Sequence, residues 1–501
     1  MITKGKEAKE KLLEGINEIS DVVKMTLGAK GKTVLLSDKY GIGFSVTKDG
    51  YNITQAITFE DEIKNCGADF IKNAANQTVN NGGDGTTSTT ILTQSMCNSM
   101  FNEIELGKNP NILIKDLKED LKNVTEFIQE NSKKVENTEE IRNIAKVSSN
   151  HDDEISNLIR DIYDKTGNNV TIDVIESDDS ETTFEIVNGY TMKETGYSSN
   201  VFINNPDKGR IEFNNPRVFL YNNKVRQMSH ELLTIFMENA DRNSDDFRPL
   251  VLIVEDIEEA PLREIVTAFN NQMIFSVAVV QTNLIYEDRK NVFIDTSHVI
   301  DAEYSDSKFG KFGECEKIII EKDNVTFING KGNPQKYIQK LKKEQEKNKD
   351  NIFLKKRLFS LESTAAIINV GGKLGTEISE KKDRIDDAVL AVKSSIQEGY
   401  CPGGSTMYLF AKRNLELKTE IMKEALLSCY KQLMINAELE PFYYLREIES
   451  KELGFGYNLI KDEVTDFYKD GIFDSTKVLR IALENAVHTA CNFALINATV
   501  S

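Results

Sequence analysis

A multidomain α/β fold, with helical ends and a strand-rich middle, is predicted by three observations. The chain has 501 residues, more than one ordinary hydrophobic core accommodates, so two to four domains are expected. In the middle, Leu250–Val254 and Val277–Val280 are continuous apolar runs. Strands buried on both faces need such runs, which points to a parallel sheet covered by helices. Both ends instead carry apolar residues at helical spacing.

Composition narrows the function. With 62 Lys+Arg against 80 Asp+Glu the formal charge is −18, and an acidic protein repels nucleic acid and anionic membrane, so neither is expected as a main partner. No apolar run is long enough to span a bilayer, and the start reads as a charged helix without a signal-peptide apolar region; a cytoplasmic protein is expected. The six cysteines are scattered, with no Cys-x-x-Cys pair, which favours buried free thiols over a zinc site or disulfides. The four histidines, His151, His230, His298 and His488, are isolated, and a capping or satisfied imidazole is expected at each.

Taken in order, residues 4–27 read as a helix with Leu12, Ile16, Ile19 and Val23 on one face and Gly28 as its C-cap. The following Gly31-Lys32-Thr33 resembles part of a P-loop. Only two residues separate Gly28 from Gly31 where that motif needs four, and no clear strand precedes it, so it is rejected. Short strands are expected at 34–36 and 44–46, with an Asp-Gly turn at Lys48-Asp49-Gly50. A helix over about 61–79 leads to Asn81-Gly82-Gly83-Asp84-Gly85-Thr86-Thr87-Ser88-Thr89-Thr90, from which another helix starts, and a charged helical region covers roughly 109–135. Strands follow at 170–172 and 184–187. The two apolar runs flank a helix at about 259–270, and 317–321 with 325–328 form a hairpin about Asp323-Asn324. Residues 333–360 read as a solvated helix or helical hairpin. Ile367–Val370 is a strand entering Gly371-Gly372. In the next helix Ile385, Val389, Val392 and Ile396 share a face, with Asp387 opposite, free to face solvent or a cleft. A second glycine loop spans Gly399–Gly404, and helical segments are expected from there on.

The stretch around Asp84 carries the chemistry. Glycines allow a sharp turn and close approach to a ligand, and a helix N-terminus offers unpaired N–H groups and a positive dipole end to phosphate. Asp84, acidic within an anion site, suits a Mg²⁺ ion shared with phosphate oxygens. A polar loop with a Ser/Thr helix cap is the alternative from this stretch alone.

Together with Thr26–Gly31, Val46–Gly50, Arg384–Ala388, Glu398-Gly399, Gly403-Gly404, Gly456–Asn458 and Ile472–Val478, this stretch resembles the group I chaperonins, the GroEL type, in order and spacing over essentially the whole chain. The resemblance implies the chaperonin fold with nested topology: a mostly helical equatorial ATP-binding domain (1–130 and 398–501), a small intermediate α/β hinge domain (131–188 and 374–397) and an apical α/β polypeptide-binding domain (189–373). It implies ATP hydrolysis with Mg²⁺ and K⁺. At matched positions Asp84 would hold Mg²⁺, and Gly85, Thr86, Thr87 and Ser88 would cradle phosphates. Thr26, Leu27 and Gly28 would close over the nucleotide, while Lys48 and Thr87 would help to hold K⁺. Asp49 and Asp387 would position the attacking water, and Gly404, Asn458, Ile472 and Asp474 would hold base and ribose. Non-native polypeptides and a co-chaperonin lid would bind Tyr197, Val201, Phe202, Leu232, Ile235, Leu262, Ile265, Val266 and Thr267 in a homo-oligomer of rings of seven. Ala29 in place of proline, Ser405 in place of a third glycine, and the missing apical Gly-Phe-Gly and Gly-Met-rich tail mark a divergent member. A passive holdase with weak turnover is the alternative function, and an unrelated small-molecule kinase a third.

Overall fold

The computed structural model describes residues 2–37, 44–168, 170–177, 179–206, 208–238, 247–347, 351–362 and 364–500. Contacts divide the chain into two compact units. The first comprises Met1–Asp164, Val174–Thr183 and Asn369–Ser501, the second Lys165–Asp173 and Phe184–Ile368.

In the first unit, the periodic apolar faces read from the sequence become one helical core. Helices Gly5–Val23, Glu62–Gly82, Thr86–Glu105, Pro110–Glu130, Glu420–Asn436 and Thr476–Leu495 bury Leu12, Ile16, Ile71, Leu92, Leu117, Leu426 and Phe493 against one another. Removing that much apolar area from water is the main stabilising contribution. Buried Asp120 joins distant segments: its carboxylate accepts from the Lys418 and Thr419 N–H groups at 2.8 and 2.9 Å and from the Thr419 hydroxyl at 2.7 Å. The two ends of the described chain meet as antiparallel strands, Ile2 opposite Val500.

Several expectations change here. The first helix gives way to a 3₁₀ turn at Lys24–Thr26, so Gly28 (φ +79°) lies beyond the helix and is not its C-cap. The expected strands form as Val34–Ser37 and Phe44–Thr47, but Asp49 does not sit in a hairpin turn. Its carboxylate accepts from the N–H groups of Tyr51 and Asn52 and starts a helix over Gly50–Ala56, the usual gain of an acidic N-cap. Helices Thr138–Ser148 and Asp153–Thr166 are additional; the first opens on an Asn137–Glu140 capping box. The stretch from the second glycine loop onward is not purely helical: Tyr400–Pro402 pairs with Phe473–Ser475, and Phe455–Asn458 with Glu463–Asp466. Strands of three or four residues are too short to display a period.

The second unit is built on a ten-stranded sheet. Its centre is parallel, as the apolar runs require: Leu250–Ile257 lies between Arg217–Val225 and Val277–Thr282. Helix Glu259–Asn270 connects two of these strands. Gly313–Ile320 and Asn324–Gly330 form the expected hairpin, Ile320 opposite Val325. Buried charges in this unit are paired. Arg357 grips Asp295 through two bonds of 2.8 and 2.6 Å, and Arg210 meets Asp173 at 2.7 Å. The charged 333–360 region gives helices Gln335–Lys347 and Ile352–Leu361; residues 348–350 of that expectation lie outside the described residues. Five of the six cysteines are buried and Cys66 is exposed; all are free thiols. Among the described residues no helix is long and apolar enough to cross a membrane.

Candidate functional site

The glycine loop bends because Gly83 (φ +84°) and Gly85 (φ +96°) occupy left-handed backbone that L side chains disfavour. Gly85 is the N-cap of helix Thr86–Glu105 and supplies no side-chain bond to its first turn. The N–H groups at this helix start therefore lack the usual hydroxyl or carboxylate cap. Another helix start is packed against it: a Cβ placed on Gly50, next to Asp49, would lie 2.4 Å from the Thr87 hydroxyl. Only glycine permits that approach.

Helix Gly375–Glu398 reaches the same loop. Ser394 donates to the Gly82 carbonyl at 2.7 Å, and a Cβ on Gly83 would meet the Leu390 side chain at 2.8 Å. Asp387, Leu390 and Ser394 fall at i, i+3 and i+7, one face of the helix. That spacing turns Asp387 to the loop, settling the choice between cleft and solvent.

Electrostatics register the crowding. Burial, aided by the charge of Asp49 and opposed by the Gly85 N–H, pushes the Asp84 carboxyl up to about 6. Burial and the charges of Asp84 and Asp49 push Asp387 well above the usual carboxylate range. Asp474 also rises to about 6, chiefly through burial and with a contribution from Asp84, although it accepts a bond from the Ser405 N–H at 3.2 Å. Carboxylates that raise one another mark a place where a cation would be favourable. Among the described residues no three His, Cys, Asp or Glu side chains could hold a metal ion by themselves, so other oxygens would have to complete its coordination.

Beside this acidic end lies a cleft with a cavity volume of about 170 Å³. Leu27, Gly28, Ser88, Gly404, Asn458, Ile472 and Asp474 line it. Of the residues singled out from the sequence, these form its walls. Asp49, Asp84, Asp387 and the Thr86-Thr87 helix start make up the acidic end, and Lys48 adjoins Asp49 in the chain. Thr26 is turned inward, its hydroxyl donating to the Val23 carbonyl at 2.9 Å. The Asn458 side chain is already engaged, donating to Asp470 at 2.8 Å and accepting from the Ile460 and Lys461 N–H groups. It shapes the wall instead of presenting a free amide.

Sequence reading missed three contributors. Asn436 donates to the Lys24 and Leu27 carbonyls at 3.0 and 2.9 Å and holds the Leu27-Gly28 wall in place. Ser394 anchors the glycine loop as described. His151, read as a bland histidine, lines the cleft. Their partners are distant in sequence, and no local pattern signals them.

In the second unit the nine positions expected to meet non-native chains divide. Phe202, Leu232, Ile235 and Ile265 are core residues, between 1% and 9% exposed. This corrects their placement on an exposed strip. Tyr197, Leu262 and Val266 are half-buried against that core, while Val201 and Thr267 are exposed. Leu233 and Met237, not singled out, are 45% and 74% exposed on helix His230–Glu238. Three- and four-residue helical spacing explains the shift: Leu232, Ile235 and Phe236 take the inner face and leave their neighbours outside.

This combination of helical unit, sheet unit and acid-edged cleft matches known proteins. A model of the TCP-1/cpn60 chaperonin family matches residues 19–248 and 249–501. The chain is similar to the chaperonin gp146 from the bacteriophage EL 2 (Pseudomonas aeruginosa), crystallised in the presence of ATP-BeFx. In crystal form II the TM-score is 0.68 at 18% identity, covering 100% of this chain and 99% of that one. In crystal form I the TM-score is 0.64 at the same identity and coverage. The chain belongs to the TCP-1/cpn60 chaperonin family, as a divergent member with the multidomain α/β chaperonin fold.

Proposed function

We propose that this chain is an ATP-driven chaperone subunit that binds non-native polypeptides and promotes their folding within a homo-oligomeric ring. The observation that supports this most is the convergence of Asp49, Asp84, Asp387 and Asp474 on an uncapped helix start at Thr86–Ser88. The crystallisation of the phage chaperonin with an ATP analogue agrees with a nucleotide in the cleft. In this reading Gly404, Ile472 and Asp474 line the nucleoside half, with Asn458 shaping the wall beside them. Thr26, Leu27 and Gly28 flank it, and the backbone of Gly85, Thr86, Thr87 and Ser88 takes the phosphates. Asp84 would hold Mg²⁺, which when bound offsets phosphate charge, and Lys48 and Thr87 would help to hold K⁺. Phosphoryl transfer needs positioning and charge stabilisation above all. Asp49 and Asp387 would orient the attacking water.

The same reading assigns an equatorial domain to 1–130 and 398–501, an intermediate domain to 131–188 and 374–397, and an apical domain to 189–373. The partly exposed Tyr197, Val201, Leu262, Val266 and Thr267 would meet non-native chains and a co-chaperonin lid, since apolar contact needs no sequence readout. Rings of seven in the cytoplasm complete the proposal. Steady-state ATPase and refolding of a denatured client test it, comparing the native protein with Asp387→Ala. Equal ATPase rates would reject the enzymatic reading, and the absence of any ring by electron microscopy would reject the assembly.

A further inference from the structure

Helix Thr138–Ser148 ends in a tight turn: Ser149, Asn150 and His151 donate their N–H groups to Ala145, Val147 and Lys146, the last at 2.7 Å. Asn150 (φ +57°) and His151 (φ +65°) are successive left-handed residues, neither of them glycine. Each such residue costs about 1 kcal/mol or more relative to ordinary backbone. The turn is held from the other side as well. Asp152 caps the next helix through the Glu154 and Ile155 N–H groups and receives Arg384 at 2.7 Å. Between these two anchors lie Asn150 and His151, both in the cleft wall, and one of them brings an aromatic ring to it.

That residue is His151, half-buried, whose ring makes no hydrogen bond to any described residue. Its neighbours in the cleft wall are informative. Val147 and Asn150 come with it, and Tyr457, Asn458, Ile460 and Ile472 line the same space. Asp474 and Ser88 belong to this wall, whereas Asp49, Asp84 and Asp387 do not. Val147, Ile460 and Ile472 beside Tyr457, Asn458 and the His151 imidazole offer apolar contact together with polar groups, which suits a base and its ribose better than a phosphate chain. Burial and nearby Lys146, against an opposing Asp153, lower its proton affinity, which leaves a neutral ring able both to donate and to accept.

We propose that His151 is a specificity-determining contact to the nucleoside half of the bound nucleotide, a role that rests on the nucleotide reading of the cleft given above. The His151→Gly variant tests it cleanly, because glycine relieves the left-handed strain while removing the ring. The assembled protein is titrated calorimetrically with Mg-ADP and, separately, with Mg-tripolyphosphate. Expected for the variant is ADP affinity lowered about 3- to 10-fold, the range of one or two lost polar contacts. Tripolyphosphate affinity stays within about twofold, and the ligand-free melting temperature is not lowered. Unchanged ADP affinity overturns the role of His151, as does equal weakening of both ligands. If the unaltered protein binds neither ligand, the nucleotide reading itself fails, and this role with it.

Discussion

The cleft of the first unit and the outer helices of the second respond differently to the same kind of inference. Around the cleft, polar residues far apart in sequence come together, and Asp84 and Asp474 lie close enough for one to raise the other. On the second unit, nine mostly apolar residues singled out together split between core and surface. A carboxylate beside glycines is hard to explain by packing, whereas an isoleucine on a helix is explained equally well by a core and by a docking face. Residue chemistry therefore separates the readings of a position more sharply than apolarity does.

Mutation can break or sharpen that contrast. The largest stability effect is expected at Phe202, whose ring packs edge-on against Phe269 with centroids 5.7 Å apart. Phe202→Ala should cost about 3–5 kcal/mol in urea unfolding followed by circular dichroism. A cost near zero would return Phe202 to the surface. Next comes Asp387→Ala, which should lower kcat for ATP about 100-fold with little change in KM, as measured by phosphate release.

A third test uses pH. The Asp84 carboxyl rises from 3.8 to about 6 on folding, so the folded state holds its proton more tightly. Its contribution to stability is complete below pH 3.8 and is lost as pH rises through about 6. Without nucleotide, Asp84→Asn should therefore exceed the unaltered protein in stability by about 1–2 kcal/mol at pH 7.5. The difference should vanish towards pH 4, as read from paired denaturant titrations. A gap independent of pH would mean that burial and the charge of Asp49 do not raise Asp84. The smallest stability effect is expected for Leu233→Ser with Met237→Ser, within about 0.5 kcal/mol for a surface change. Capture of a chemically denatured client should nonetheless weaken several-fold if this helix face meets non-native chains.

Legibility followed the length and chemistry of each signal. The parallel centre of the sheet was visible because Leu250–Val254 is apolar at every position, and the helix after Asp84 because glycines and hydroxyl residues announce a start. Short strands such as Tyr400–Pro402 and Phe473–Ser475 have too few residues for a period, so the chain from the second glycine loop onward read as helical segments. Asp49 was legible as a local turn-former but not as a helix cap, since Asp-Gly serves both uses. The roles of Asn436, Ser394 and His151 depend on partners tens to hundreds of positions away, and only the folded chain brings those together.

The bond from Ser394 to Gly82 has a mechanical consequence. Helix Gly375–Glu398 has 24 residues, and at 1.5 Å per residue about 28 Å of rod extends from Ser394 back to Gly375. A swivel of about 10° at the pinned end would carry the far tip through about 5 Å. Asp387 is only seven residues from the pin, so the same swivel moves it by roughly a third of that. A nudge of an ångström or two beside Asp84 is thus geared up, by rigid leverage alone, to a stroke the size of one helical turn.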